Sequence, residues 1–182
     1  WPFESYVFVD TGSVDRTREL ITAAFGLPAA AWPEAKADGN SSAEHALPDT
    51  AARVTLARMR WVGDFAAARQ RSFELLSTDW RMFLDADDQW PDARYWRKTL
   101  AAAVAREPRA NCLTLPYDYA PAVMQHTLRC VRWADGWRWE RPIHEHLVLP
   151  ARPPRIVIPL DPRAPAVLHR PTDPDHGVHS LQ

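Results

Sequence analysis

Trp80-Arg81-Met82-Phe83-Leu84-Asp85-Ala86-Asp87-Asp88 is the stretch that decides how this chain folds. Trp80, Met82, Phe83 and Leu84 have the composition of a short buried strand. Asp85, Asp87 and Asp88 then stand where that strand leaves its sheet. In open α/β sheets, ligands bind outside the carboxyl ends of the strands. Carboxylates packed this closely repel one another, and a cation relieves the repulsion. Oxygen ligands suit hard divalent ions such as Mg2+ or Mn2+. The stretch is therefore expected to form the floor of a site for a metal and a phosphate.

The rest of the chain sets bounds on that reading. A length of 182 residues fits a single domain, 1–182, with one sizeable core. Hydrophobic residues at 46% and charged residues at 25% are ordinary for a globular protein. A net charge of −1 gives no global attraction to nucleic acid or anionic lipid, so no nucleic-acid partner is expected and any phosphate binding must be local. Cys112 and Cys130 belong to no C-x-x-C pair or zinc spacing and read as buried, reduced strand thiols. No apolar run reaches transmembrane length and no signal-peptide pattern opens the chain, so the expectation is a cytoplasmic protein. The chain holds 17 Pro and nine Trp and begins with Trp1, which suggests a piece of a longer protein with additional domains.

Ser5 to Val9 has strand composition and ends at Asp10-Thr11-Gly12-Ser13. A helix is expected from Val14 to Phe25, with Ser13 as N-cap, Asp15 in the first turn, Gly26 as the stop, and Leu20, Ile21, Ala24 and Phe25 as the apolar face. Asp10 would then stand at a strand end beside a helix N-terminus, a geometry suited to a nucleoside or sugar. The alternative is that Asp10 and Ser13 only shape the turn. Residues 28–50 show no periodicity and read as a surface loop or insertion, with His45 solvated. Val54 to Trp61 reads as a strand. Asp64 can cap a helix from Phe65 to Leu76 with Phe65, Ala68, Ser72, Phe73 and Leu76 as its inner stripe. Arg69 is offset from that stripe and either reaches the acids or a phosphate, or is an ordinary surface arginine.

Beyond the acids, Asp92 to Arg106 reads as a helix, and Asn111 to Tyr117 and Val123 to Trp133 as strands, followed by a turn at Asp135-Gly136. Trp133, Trp137 and Trp139 suit either core packing or a sugar-stacking platform. Ile143-His144-Glu145-His146-Leu147 offers three readings: a His-x-His metal pair, an acid–base pair of His144 and Glu145, or structural hydrogen bonding. The proline-rich segment from Pro150 to Gln182 carries two strand candidates, Arg155 to Leu160 and Ala166 to Leu168, the second ending at His169-Arg170.

Three pieces, in this order and spacing, carry a resemblance: Val9-Asp10-Thr11-Gly12-Ser13-Val14-Asp15-Arg16-Thr17; Asp64-Phe65-Ala66-Ala67-Ala68-Arg69-Gln70 with Leu84-Asp85-Ala86-Asp87-Asp88; and Arg141-Pro142-Ile143-His144-Glu145. Together they resemble family 2 glycosyltransferases of the GT-A fold, in the bacterial SPS-like and repeat-associated branch. The resemblance covers about residues 6 to 170. It implies an α/β, Rossmann-like nucleotide-diphospho-sugar transferase sandwich, with a central mixed sheet flanked by helices. It also implies sugar transfer from a UDP- or GDP-sugar donor to a glycan, lipid or protein acceptor, with Mn2+ or Mg2+ and usually with inversion. Asp10 would contact the nucleobase or ribose, and Arg69 the nucleoside or pyrophosphate. Asp85 would sit by ribose and metal, Asp87 would ligate the metal, and His169 matches a late histidine near the metal–diphosphate. An inverting transfer needs a base within hydrogen-bond reach of the acceptor hydroxyl. Glu145, with His144 as its neighbour, is the candidate, and Asp88 is another.

The chain departs from the family pattern at three points. Only Trp1 to Glu4 precede Ser5, so the family's first, nucleotide-binding strand is missing: it lies upstream, or the chain is incomplete as an enzyme. Gln70 replaces an asparagine, and residues 28–50 are longer than the usual connection. Two other readings stand beside the transferase. One is a degenerate domain that binds a sugar or partner without catalysis. The other is a sugar-phosphate nucleotidyltransferase, whose Gly-rich phosphate loop is not seen here.

Overall fold

The computed structural model describes residues 2–90, 93–120, 123–149, 157–159 and 166–169. It is a mixed α/β chain whose contacts divide it into two units, one gathering residues 3–79 and 136–150, the other 80–135 and 151–182. Among the described residues the strands are distributed over three sheets rather than gathered in one central sheet. The expected helix start at Asp92, the ends of the Arg155–Leu160 strand and most of the proline-rich segment lie outside the described residues.

In the first unit, β1 (Ser5–Asp10) pairs in parallel with β3 (Arg53–Arg58), Asp10 opposite Arg58. β3 is central, and its Val54, Leu56 and Ala57 are fully buried. The other edge of β3 carries β2 (Ser41–Ala46), antiparallel. This corrects the loop expected over residues 28–50. Ala31, Trp32 and Leu47 join the core, and His45, expected in solvent, bonds the Ala31 carbonyl through Nε2 at 2.9 Å. Ser41-Ser42-Ala43-Glu44-His45-Ala46 lacks large apolar residues because it is an edge strand that meets the core through small side chains.

The first helix, α1 (Thr17–Ala24), starts three residues later than expected. The Ser13 amide donates to Asp10 Oδ1 at 2.9 Å, and the Thr17 amide to Asp15 Oδ1 at 3.0 Å. Those bonds hold residues 10–16 as a turn; the helix begins after it without a side-chain cap, too far along for Ser13 to serve, and Val14 is fully exposed. The inward face is Thr22 and Phe25, both buried, with Ile21 partly buried beside them, whereas Leu20 is 59% exposed. Gly26 ends the helix at φ +67°, in the region that favours glycine.

The second helix, α2 (Phe65–Glu74), opens as expected, with Asp64 Oδ1 accepting from the Ala67 amide at 3.0 Å. Its inner stripe is rotated from the expected one. Ala66 and Phe73 are buried and Phe65 is 50% exposed. The reason is that the inner face includes polar groups. Gln70 Oε1 accepts the Trp139 amide at 3.1 Å on β8 (Arg138–Glu140), which pairs with β9 (His146–Val148). Trp137 and Trp139 are buried, Trp139 edge-on to Phe73, so these two are core side chains rather than a stacking platform.

In the second unit, β4 (Trp80–Met82) lies beside β7 (Val123–Arg132), which pairs with β6 (Cys112–Ala120). On the other side of β6 run β10 (Val157–Pro159) and β11 (Val167–His169), both parallel to it, and β11 pairs with β5 (Asp88–Gln89). Trp96 of α3 (Ala93–Arg106) packs with Leu113, Leu115, Tyr117 and Val167. The strand before the acids is shorter than expected: pairing ends at Met82, and Leu84 is exposed. Cys112 and Cys130 are buried free thiols, and burial pushes the Cys130 thiol up to about 12. Among the described residues no helix is long and apolar enough to cross a membrane.

Asp64→Ala removes the α2 cap and is expected to lower the unfolding free energy by about 1 kcal/mol. Urea unfolding followed by circular dichroism checks this, and an unchanged midpoint would show that the cap contributes nothing.

Candidate functional site

In the second unit the chain leaves β4 and folds the acids into a closed turn. The Asp88 amide donates to the Asp85 carbonyl at 3.0 Å, and the Asp85 amide donates back to Asp88 Oδ2 at 2.9 Å. Asp88 then enters β5, where it stands directly opposite His169 of β11. His169 Nδ1 lies 3.3 Å from Asp88 Oδ1, and the Tyr117 hydroxyl donates to the same oxygen. His169 Nε2 faces Asp87 Oδ2 at 3.6 Å. One ligand atom from each of Asp87, Asp88 and His169 falls within 4.8 Å of the others.

The three do not have equal roles. The Asp88 side chain is fully buried and already accepts from Tyr117 and the Asp85 amide. A carboxylate oxygen only accepts, so His169 Nδ1 is the donor in their contact and Nε2 is turned toward Asp87. A carboxylate behind a histidine is the arrangement that orients a metal-binding imidazole. Asp87 and His169 are each about one-quarter exposed and can meet a ligand from solvent. Burial, reinforced by the bond to Asp88, pushes the Tyr117 phenol well above the usual tyrosine range, so it remains a donor. Asp88, weighed from sequence as a base, serves instead to hold the turn and the ring.

Asp85 stands outside this cluster. Its Oδ2 accepts from Arg129 Nη1 at 3.0 Å, and the same nitrogen lies 3.9 Å from Asp88 Oδ2. Arg129 is buried between the rings of Phe83 and Tyr117, its guanidinium carbon 4.4 and 4.3 Å from their centres. The β6–β7 register sets Leu113 opposite Cys130 and Thr114 opposite Leu128. Arg129 is thus the extra residue of a bulge, a device that re-aims a side chain. Sequence reasoning missed Arg129 and Tyr117. The signal for Arg129 was a lone charge inside the strand run Leu128-Arg129-Cys130-Val131.

The other sequence-predicted residues belong to the first unit. Asp10 is buried, with Oδ1 on the Ser13 amide and Oδ2 3.8 Å from Arg18 Nε. It therefore shapes its own turn. Arg69 Nε donates to Glu145 Oε1 at 2.6 Å, and its guanidinium lies 5.3 Å from the centre of the Trp139 ring. The Phe65 amide donates to the Pro142 carbonyl at 2.9 Å. Segments 64–70 and 139–145 are thus interlocked. His144 is exposed at φ +56°, outside the strand that holds His146, so the two imidazoles do not share a strand face. The structure brings Asp87, Asp88 and His169 together, and separately Arg69 and Glu145.

No family model matches the chain, and no curated protein matches it as a relative.

Tyr117→Phe is expected to cost about 1–3 kcal/mol, because it strips a donor from a buried carboxylate. The phenol value rises on folding from 10.0, so its stabilisation is complete below that pH and is lost as pH climbs through the folded value. Urea midpoints measured from about pH 8 to about pH 11 should therefore fall more steeply for wild type than for Tyr117→Phe. Parallel slopes would refute the linkage.

Proposed function

We propose that this chain is a metal-dependent glycosyltransferase domain that moves a sugar from a UDP- or GDP-sugar to a glycan, lipid or protein acceptor, with inversion. The observation that carries the reading is the convergence of Asp87 and His169, from distant parts of the sequence, on one partly exposed site backed by Asp88. The ordered resemblance to family 2 glycosyltransferases gives that site its substrate class, and the GT-A fold is the architecture this reading entails.

Asp87 and His169 would hold the ion. A mixed oxygen and nitrogen donor set suits Mn2+ better than Mg2+, which prefers oxygen throughout. A divalent cation bound there offsets the negative charge that grows on the leaving diphosphate. Asp88 keeps the His169 ring turned toward Asp87. Arg69 offers a permanent positive charge to a nucleoside or pyrophosphate, and Glu145 holds that guanidinium in place. Glu145 as base requires its carboxylate to reach an acceptor hydroxyl, with His144 beside it. Asp10 would face the nucleobase or ribose. A second reading, a sugar- or partner-binding domain without catalysis, is favoured by one fact: Asp10 and Glu145 are each already bonded within their own unit.

Calorimetry with Mn2+ and a panel of UDP- and GDP-sugars separates the two. Wild type is expected to bind at least one donor, and Asp87→Ala, which removes a metal ligand, to weaken that binding by more than about 100-fold, beyond the loss typical of a residue behind a ligand. If wild type binds no donor, the transferase reading gives way to the binding module.

A further inference from the structure

We propose that Arg129 sets the ligand set of the metal site by withholding Asp85 from it, so that the ion's protein ligands are Asp87 and His169; this rests on the metal reading above. Arg129 is 4% exposed, and its charge is permanent. A buried cation needs an anion beside it. Asp85 Oδ2 supplies it at 3.0 Å. The guanidinium cannot easily withdraw. It sits between two aromatic rings, and its backbone is the extra residue of the β7 bulge, with the Arg129 carbonyl accepting the Phe83 amide at 3.2 Å. Its Nε is buried without a hydrogen-bond partner among the described residues. The residue is therefore held by charge and ring stacking more than by a full set of hydrogen bonds.

Two consequences follow for the ion. Asp85, Asp87 and Asp88 together carry three negative charges when ionised, and Arg129 offsets one, leaving a balance that matches a divalent cation. With Asp85 paired to Arg129, two side chains ligate the ion and its remaining positions are open to diphosphate oxygens. Arg129 is thus a positioning residue, and the donor's diphosphate becomes part of what holds the ion.

The test is Mn2+ binding to the full 182-residue chain without nucleotide, read by loss of the free-ion electron paramagnetic resonance signal. Arg129→Met releases Asp85 as an added ligand and should tighten Mn2+ by about tenfold, since carboxylate number tunes such sites. Asp85→Asn with Arg129→Met removes both charges, strands neither, and should return affinity to the wild-type value. Asp87→Ala should abolish binding. If the double variant loses affinity as Asp87→Ala does, Asp85 is a ligand and the assignment of Arg129 is overturned while the metal reading stands. A wild type that takes up no Mn2+, alone or with UDP or GDP, removes both. The double variant also covers misfolding of Arg129→Met, because it leaves no unpaired buried charge.

Discussion

A carboxylate taken out of water must have its acceptors filled. Asp88 is that carboxylate, and the second unit's site depends on it. Its two oxygens take the Tyr117 hydroxyl, the Asp85 amide and His169 Nδ1. One side chain therefore ties the acid turn to β6 and β11. The β5–β11 ladder alone is short, pairing Leu168 with Gln89 and His169 with Asp88. Leaving a buried donor such as the Tyr117 hydroxyl unmatched costs about 1–3 kcal/mol. That is comparable to what so short a ladder contributes, so the side-chain bonds and the ladder together place His169.

The first unit uses the same device at a different place. Arg141 and His144 both take left-handed backbone conformations, at φ +74° and +56°. Such residues cost of order 1 kcal/mol each and persist when their surroundings over-determine them. Here the surroundings are α2. Phe65 donates to Pro142, Gln70 accepts from Trp139, and Arg69 pairs with Glu145 over the Trp139 ring. The Arg69–Glu145 pair is mostly buried, so breaking it from one side would strand a charge. Glu145 is first of all the residue that positions Arg69.

Much of this was legible where the local chemistry is self-contained. Asp64 announced the α2 cap because a side-chain oxygen three residues ahead of an amide needs no tertiary partner. The Ser13 cap failed because the helix starts only at Thr17, whose amide is taken by Asp15 Oδ1, and a sequence pattern does not rank two such acceptors. The β2 strand was hidden because an edge strand of small polar residues shows no apolar alternation. Asp87 was named from the carboxylate cluster itself and His169 on the strength of the resemblance. The division of labour among the acids was not, because it depends on a one-residue bulge that moves Arg129 to the turn, and bulges leave no compositional trace.

That division answers how three acids share one turn. Like charges at this spacing raise one another's energy unless each finds a different answer. Asp85 has a buried guanidinium, a permanent countercharge. Asp88 has hydrogen-bond donors, including an amide that cannot be titrated away and a phenol held protonated. Asp87 has His169, whose Nε2 faces it at 3.6 Å and is a nitrogen that a metal could take as ligand. The first two answers are built into the fold and do not change when a ligand arrives. The third can change. Asp87 is therefore the acid whose electrostatic environment a cation would alter most if one bound here, and the fixed partners of Asp85 and Asp88 would confine that response to one carboxylate and one ring.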